Sequence, residues 1–277
     1  MFHYVRAASV VLAFAAFGIA QTASATPPIA PGSTPAMLQE AVNGSWRPAK
    51  DRARDKYRHP VQTLEFFGIK PDMTVIELSP GGGWYTRILA PFLYAHGTLI
   101  EPTGPHDAKF NALLKSDPAV FGHVKRGLPF EPFTPHSTKL KLGPNDSADM
   151  VVTFRNMHDY HDAGNMLGVL KAAYNVLKPG GVFAMTDNRA LPYANPDVVD
   201  HTLHRNVEGY MINEALKAGF QLAGTSNINA NPKDPLDILV FKMFPGFYKD
   251  TPAERAKMEA IGGPDAMTLK FVKPRNP

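Results

Sequence analysis

The chain has 277 residues, of which 44% are hydrophobic, so it is long enough to bury one sizeable core. Its 29 Lys and Arg against 25 Asp and Glu leave a net charge of only +4, without the concentrated basic patch that nucleic-acid-binding proteins carry. There is no cysteine, which excludes disulfide bonds and a lipid-modified cysteine anchor, so the packed core must supply the stability.

The first 25 residues have the pattern of a cleaved signal peptide. Arg6 is the only charged side chain before position 40, and an apolar run from 7 to 20 follows it. That run is too short to span a bilayer as a helix, and Ala23-Ser24-Ala25 is a small-residue cleavage pattern. We therefore expect cleavage after Ala25 and a periplasmic or secreted protein, with no integral membrane segment once the signal is removed.

Residues 26–60 are expected to form a flexible leader and an N-terminal helical extension, and residues 61–277 a single domain. Short helices are predicted around 36–43 and 48–58. Pro60 suits the first position of a third helix, which ends near Gly68.

From residue 74 onward, the pattern alternates between strands and helices, which predicts a parallel sheet covered on both faces. The predicted strands are 74–78, 98–101, 120–125, 149–154, 182–186, 220–225 and 267–272, and the predicted helices are 84–95, 107–115, 163–177 and 206–218. The long polar, Pro-rich connection before the last strand carries no predicted element. The expected fold is α/β and Rossmann-like, with a doubly wound, mostly parallel seven-stranded sheet.

A glycine-rich turn, Ser79-Pro80-Gly81-Gly82-Gly83, directly follows the first predicted strand. Glycines let the backbone approach a ligand closely, and the helix that follows offers unpaired N–H groups at its start. Glu77 ends this strand and Glu101 ends the next, and such carboxylates can accept ligand hydroxyls. The pattern favours a ligand site over a tight strand-to-helix connection without a ligand.

Polar side chains also cluster around the ends of later predicted elements. Asn156 and His158 follow the strand at 149–154, and His204 and Arg205 precede the helix at 206–218. Ligands of parallel sheets bind beyond the carboxyl ends of the strands, where these residues are expected. Each also has a structural interpretation: Asn156 as a helix cap, the histidines as hydrogen-bonding groups, and Arg205 as a partner of Asp200.

The region from about 51 to 274 resembles a class I S-adenosylmethionine-dependent methyltransferase, and in particular a bacterial family of exported predicted methyltransferases. The segments that carry the resemblance are Asp51 to Pro60 (with Arg54-Asp55 and Arg58-His59-Pro60), Val75 to Tyr85, Phe154 to Asp159, Leu177 to Gly181, His204-Arg205, and Ala218-Gly219-Phe220.

The resemblance implies S-adenosylmethionine as the cofactor and transfer of its methyl group, by in-line displacement, to an unidentified acceptor that we expect to be a small molecule. It places Glu77 near the methionine end of the cofactor and Glu101 on the ribose hydroxyls, while Ser79 stands where the motif usually has its first glycine. The full predicted cofactor-binding set is Glu77, Ser79, Gly81, Gly82, Gly83, Tyr85 and Glu101.

The predicted catalytic residues are His158, His204, Asn156 and Arg205. One histidine would act as the base toward the acceptor, since histidine titrates near neutral pH, and His158 is the first choice. Asn156 would orient the acceptor or the cofactor, and Arg205 would hold an anionic part of the substrate.

Two alternatives remain open. The first is a metal-binding function, because two histidine pairs have i,i+3 spacing and acidic residues stand nearby: His158 and His161, His201 and His204, with Asp159 and Asp200. Zinc or copper needs three or four converging ligands, which spacing cannot establish, and we therefore predict no metal site. The second is a non-catalytic ligand-binding protein, in which Trp84-Tyr85 either stacks on a ligand or packs against the sheet.

Overall fold

The computed structural model describes residues 28–105, 107–244 and 251–275. The predicted signal peptide, residues 1–25, lies outside the described residues. Among the residues that are described, no helix is both long enough and apolar enough to cross a membrane.

A seven-stranded sheet with the spatial order β3-β2-β1-β4-β5-β7-β6 forms the centre of the fold. The strands are β1 Thr74–Leu78, β2 Thr98–Thr103, β3 Lys125–Pro129, β4 Ala148–Phe154, β5 Leu177–Asn188, β6 Gln221–Ser226 and β7 Ala266–Val272. Strand β7 runs antiparallel to both of its neighbours, and the other pairs are parallel. The predicted fold class is confirmed. Strand order reverses between β1 and β4, so the crevice beyond their carboxyl ends is the expected ligand position.

Helices cover both faces of this sheet. They are α1 Thr34–Asn43, α2 Ala49–Arg52, α3 Asp55–Arg58, α4 Pro60–Phe67, α5 Thr86–Leu93, α6 Ala108–Ser116, α7 Pro118–Phe121, α8 Met157–Asp162, α9 Met166–Val176, α10 Pro196–Leu203, α11 Glu208–Lys217 and α12 Pro252–Ile261. A 3₁₀ helix spans Val240–Met243.

The core has two halves because successive strand residues point to opposite faces. Val75 and Val152 pack with α1, α4 and α5, whereas Ile76 and Val151 pack with α8, α9 and α11. Leu38 of α1 is fully buried in the first half. The described part of the predicted N-terminal extension therefore packs into the same core as the sheet.

Three local predictions differ from the structure. The stretch predicted as a strand at 120–125 begins in helix α7, which Pro118 opens and the Asp117 side chain caps, and continues through a turn, so that β3 begins only at Lys125. The strand predicted at 182–186 begins earlier, because residues 177–181 already belong to β5, with Gly180 at a left-handed φ of 84°. The connection without a predicted element contains α12, which begins with a Thr251–Glu254 capping box.

Candidate active site

The glycine-rich turn between β1 and α5 has open space above its centre. Ser79, Gly81 and Gly83 all have left-handed backbone conformations, with φ of 49°, 57° and 75°. Ser79 thus adopts a conformation that usually requires glycine. A Cβ atom added to Gly81 or Gly82 would meet nothing within 4 Å, whereas one on Gly83 would overlap the side chain of Leu113. Gly83 is therefore needed for packing, and the other two glycines border accessible space.

Two buried carboxyl groups lie beneath this turn. Glu77 on β1 and Glu101 on β2 are 2% and 0% exposed, and their side chains hydrogen-bond each other. The Thr86 hydroxyl donates to Glu77 Oε2 at 2.8 Å and lies 3.4 Å from Glu101 Oε1. Burial, together with the neighbouring Glu77, raises the pKa of Glu101 well above its usual value. The pKa of Glu101 is thus the more strongly raised of the two, and its second oxygen, Oε2, is buried without a hydrogen-bond partner.

Asn156 connects the end of β4 to this turn. Its amide nitrogen lies 3.3 Å from the carbonyl oxygens of Leu78 and Ser79 and 3.1 Å from Thr153 Oγ1. It stands at the N-cap of α8, but its side chain makes no capping hydrogen bond. The Tyr160 hydroxyl donates to Ser79 Oγ at 2.7 Å. Hydrogen bonds from Asn156 and from Tyr160 of α8 therefore fix the position of the turn, and Asn156 acts as a positioning residue.

His158 and Asp187 form a buried dyad next to the turn. Asp187 Oδ1 lies 2.8 Å from His158 Nδ1, and Asp187 Oδ2 accepts from the His158 backbone N–H at 3.0 Å and from Asn206 at 2.9 Å. This carboxylate fixes the ring through Nδ1, so that Nε2, which lies 3.6 Å from Asp159 Oδ2, is the nitrogen that can take a proton. Burial acts to lower the pKa of His158, but the Asp187 charge and hydrogen bond, with Asp159, raise it overall.

His204 lies against this dyad, with its ring centroid 5.4 Å from that of His158. Its Nδ1 atom is 3.4 Å from Asp159 Oδ1 but has no hydrogen-bond partner in the described structure. The ligand atoms of His158, Asp159 and His204 all lie within 4.8 Å of one another, a convergence that spacing in the sequence could not show. The other two histidines of the predicted pairs pack elsewhere: His161 contacts Asp197 and Asp200, and His201 contacts Asp162 and Asp200.

The placement of Arg205 contradicts the prediction that it holds an anionic part of the substrate. It is 0% exposed and forms a two-pronged ion pair with Asp234 at 2.9 and 3.1 Å. It also donates to the carbonyl oxygens of Arg189 and Ile238. All its donor groups thus face protein atoms, and its role is structural. Its carboxylate partner is Asp234, not Asp200.

The aromatic rings of Trp84 and Tyr85 pack within the protein instead of facing a ligand. The Tyr85 ring stacks on Phe154 with 3.4 Å between centroids and meets the Trp84 ring edge-on at 4.6 Å. The rings therefore take the packing role, and the expected cofactor contact of Tyr85 stays a prediction. Burial raises the pKa of the Tyr85 hydroxyl to about 12 against the opposing charges of Arg58 and Arg155.

Two residues of the site were not selected from the sequence: Asp187 and Thr86. Asp187 directly follows the strand predicted at 182–186, and Thr86 follows the selected Tyr85, so position next to a strand end or a selected residue was the available signal. Their specific pairings depend on the three-dimensional path of the chain.

Comparison with known proteins places this geometry in a structural class. No protein-family model and no curated protein sequence matches the chain. A S-adenosylmethionine-dependent methyltransferase from Aquifex aeolicus is 14% identical, with 86% of this chain and 98% of that chain covered and a TM-score of 0.51. An arsenic(III) S-adenosylmethionine methyltransferase from Chlamydomonas reinhardtii is 15% identical, with coverages of 90% and 75% and a TM-score of 0.50.

A third solved structure, the [4+2]-cyclase SpnF, is 13% identical, with coverages of 91% and 99% and a TM-score of 0.54. Its reaction differs from methyl transfer, so this fold does not by itself fix the chemistry. Identities this low establish the architecture alone. The chain has the Rossmann-like fold that S-adenosylmethionine-dependent methyltransferases share.

Proposed function

We propose that the protein is an S-adenosylmethionine-dependent methyltransferase that acts on a small-molecule acceptor. Two observations carry this proposal: the open space above Gly81 and Gly82, and the unpartnered carboxyl oxygen of Glu101 on the neighbouring strand β2. Solved structures of two S-adenosylmethionine methyltransferases with the same fold add support.

The residues around the turn fit the proposed cofactor. Ribose hydroxyls would supply the donors that Glu101 Oε2 lacks, and a buried acceptor without a partner is costly. Gly81 and Gly82 would let the cofactor lie against the backbone, where any side chain would fill the space. Glu77 stays hydrogen-bonded to Thr86 and lies next to the methionine end.

When bound, the cofactor supplies a methyl group on a positively charged sulfur, which keeps both electrons of the carbon–sulfur bond when the methyl group leaves. The protein must orient the acceptor and receive its proton. We assign that proton to His158 Nε2, because Asp187 fixes Nδ1 on the other side of the ring. Asn156 keeps the turn in register with this base.

The proposal is tested by calorimetric titration with S-adenosylhomocysteine. Gly82→Val is a better test than Gly81→Val, because Gly82 does not have the left-handed backbone of Gly81. The added side chain at Gly82 enters only open space. We expect Gly82→Val to abolish binding without lowering the unfolding temperature. Gly209→Val is the matched control, because a Cβ at Gly209 also meets nothing within 4 Å, but on α11. Equal affinity in both variants would contradict the assignment of the turn.

We further propose that the protein belongs to the exported bacterial family and works in the periplasm or outside the cell. The apolar run behind Arg6 and the Ala23-Ser24-Ala25 pattern support this. Mass spectrometry of the native protein should find a mature chain that begins near Thr26. A chain that retains Met1 would rule out export by cleavage.

A further inference from the structure

Three arginines converge beside the glycine-rich turn, and we call Arg54, Arg58 and Arg155 the arginine cluster. Arg54 and Arg58 lie just before and at the end of α3, and Arg155 directly follows β4 in a left-handed conformation with φ of 62°. Strained backbone of this kind at a non-glycine residue is concentrated at functional sites. Arg58 and Arg155 line a common cavity with Tyr85, Phe154, Thr186 and Asn229.

Within the described residues, no carboxylate lies within ion-pair distance of these guanidinium groups, and the charges of Asp51 and Asp187 act on them only from farther away. Within the described parts of the chain, the side chains of the cluster form neither an ion pair nor a hydrogen bond. Their contacts are with aromatic rings: Arg58 lies 4.7 Å from the Trp84 ring and Arg54 lies 5.2 Å from the Phe244 ring. Each guanidinium therefore keeps its five N–H donors available.

The aspartates nearest in sequence already have other partners. Asp55 forms a two-pronged ion pair with Arg47 at 2.7 and 2.9 Å, and Asp51 lies 3.5 Å from Arg87. Arg47 and Arg87 therefore take the carboxylates that could have balanced the cluster. The excess positive charge is built into this local packing.

The three arginines of the cluster are partly buried, and their positive charges repel one another. Burial lowers the pKa of Arg58 well below its usual value, and the charges of Arg155 and Arg54 lower it further. Burial and Arg54 likewise lower the pKa of Arg155 to about 10. A bound anion would relieve this repulsion, because like charges in a poorly solvated region destabilise each other.

The cavity is small and adjoins a larger groove. The space open to the centre of a water-sized sphere is about 10 Å³, close to the minimum for one ordered water. Only one oxygen atom of a ligand's end group would fit inside the cavity, where the Tyr85 hydroxyl is a further donor. The neighbouring groove of about 230 Å³ shares Asn229 with the cavity and is also lined by Lys56, His59 and Lys233. A ligand body could lie in this basic groove with its end group at the arginines.

We propose that the arginine cluster binds an oxyanion, a carboxylate or phosphate, on the methyl acceptor, so the substrate is an anionic small molecule. Arginine pairs with both groups through two parallel hydrogen bonds. Thr186 on β5 and Ala266 on β7 line the cavity, on the opposite side of β4 from Glu101 on β2, which favours the acceptor over the cofactor as the source of the oxyanion. This inference rests on the proposed function for the identity of the ligand, but not for the oxyanion site itself.

The first test measures the thermal unfolding of the purified protein in inorganic phosphate, at constant ionic strength set with chloride. We compare the wild type with Arg155→Gln, Arg58→Gln and the control Lys50→Gln, which removes an exposed charge from α2. Phosphate should raise the unfolding temperature of the wild type and of Lys50→Gln. Its apparent dissociation constant should increase at least tenfold in both arginine variants. Absence of a phosphate effect in the wild type, or equal effects in all four proteins, would overturn the oxyanion site.

The second test separates the two sources of the oxyanion. S-adenosylhomocysteine carries the cofactor's carboxylate, and 5′-methylthioadenosine lacks it. If the acceptor supplies the oxyanion, Arg155→Gln binds both compounds within twofold of the wild type. A tenfold loss for S-adenosylhomocysteine alone would assign the cluster to the cofactor and overturn the acceptor proposal. If the wild type binds neither compound, the proposed function fails, while arginine-dependent phosphate binding would still support the oxyanion site.

Discussion

Replacing Glu101 with Gln tests the cofactor site through a change that preserves its packing. In the free protein, the Glu101 carboxyl group hydrogen-bonds Glu77, and a Gln amide can donate such a hydrogen bond without titrating. The fold should therefore survive. Ligand hydroxyls that donate to a carboxylate at this position would lose charge-assisted hydrogen bonds worth about 1.5–3 kcal/mol. That range corresponds to an affinity for S-adenosylhomocysteine about 10- to 150-fold weaker.

The same pair predicts a pH dependence with a definite sign. The pKa of Glu101 is well above its usual value in the free protein, and ribose hydroxyls favour the ionised form, so binding should release a proton. Affinity should then rise with pH until it passes the pKa of the free protein, by up to about tenfold per pH unit for one proton. Calorimetry at several pH values should show this slope in the wild type but not in Glu101→Gln.

Stability without ligand provides a control. A raised folded-state pKa means that protonated Glu101 stabilises the fold, fully below its unfolded pKa near 4.5, and that this contribution is lost as pH rises through the folded pKa. Urea unfolding of the wild type should therefore show a loss of stability with rising pH that Glu101→Gln lacks. Equal affinity of the two proteins for S-adenosylhomocysteine, together with identical pH profiles, would refute the reasoning.

Two further predictions concern the base and the core. His158→Gln should lower turnover by about 10²–10⁴-fold while affinity for S-adenosylhomocysteine stays nearly constant. Burial lowers the pKa of His158, but Asp187 outweighs burial and raises the pKa overall. Because the base acts in its neutral form, wild-type turnover should rise with pH and level off above the usual histidine range. A stoichiometric metal ion, lost from both His158→Gln and His204→Gln, would instead favour the metal-binding alternative. Leu64→Ala, at a fully buried position on α4, should reduce the free energy of unfolding by about 2–5 kcal/mol. A smaller reduction, measured by urea denaturation, would contradict this prediction.

Strong local patterns account for what the sequence predicted of the fold. Strand β1, the glycine-rich turn and α5 follow one another as expected, because an aliphatic run, glycines and a helical apolar period each have a local physical cause. Helix α8 was missed since its polar residues, among them His158 and His161, hide the apolar period that Met157 and Tyr160 provide. Helix α12 was missed because Pro252 was read as a loop residue, although proline suits a helix start.

The site was harder to predict because it depends on partners far apart in the sequence. The residue after a strand could be selected, as His158 was, but its pairing with Asp187 requires β4 and β5 to be adjacent. Arg205 was misassigned for the same reason, since Asp234 lies in an irregular connection. The unpaired state of Arg155 could not be inferred at all, because the absence of a partner is a property of the whole packing.

The most direct test of the account is a crystal structure of the protein with S-adenosylhomocysteine. We expect the ligand to lie over Gly81 and Gly82, with its ribose hydroxyls at Glu101 and its sulfur toward His158 Nε2. A ligand bound elsewhere would contradict the cofactor site. Imidazoles of His158 and His204 that both point away from the sulfur would contradict the catalytic assignment even with the cofactor in place.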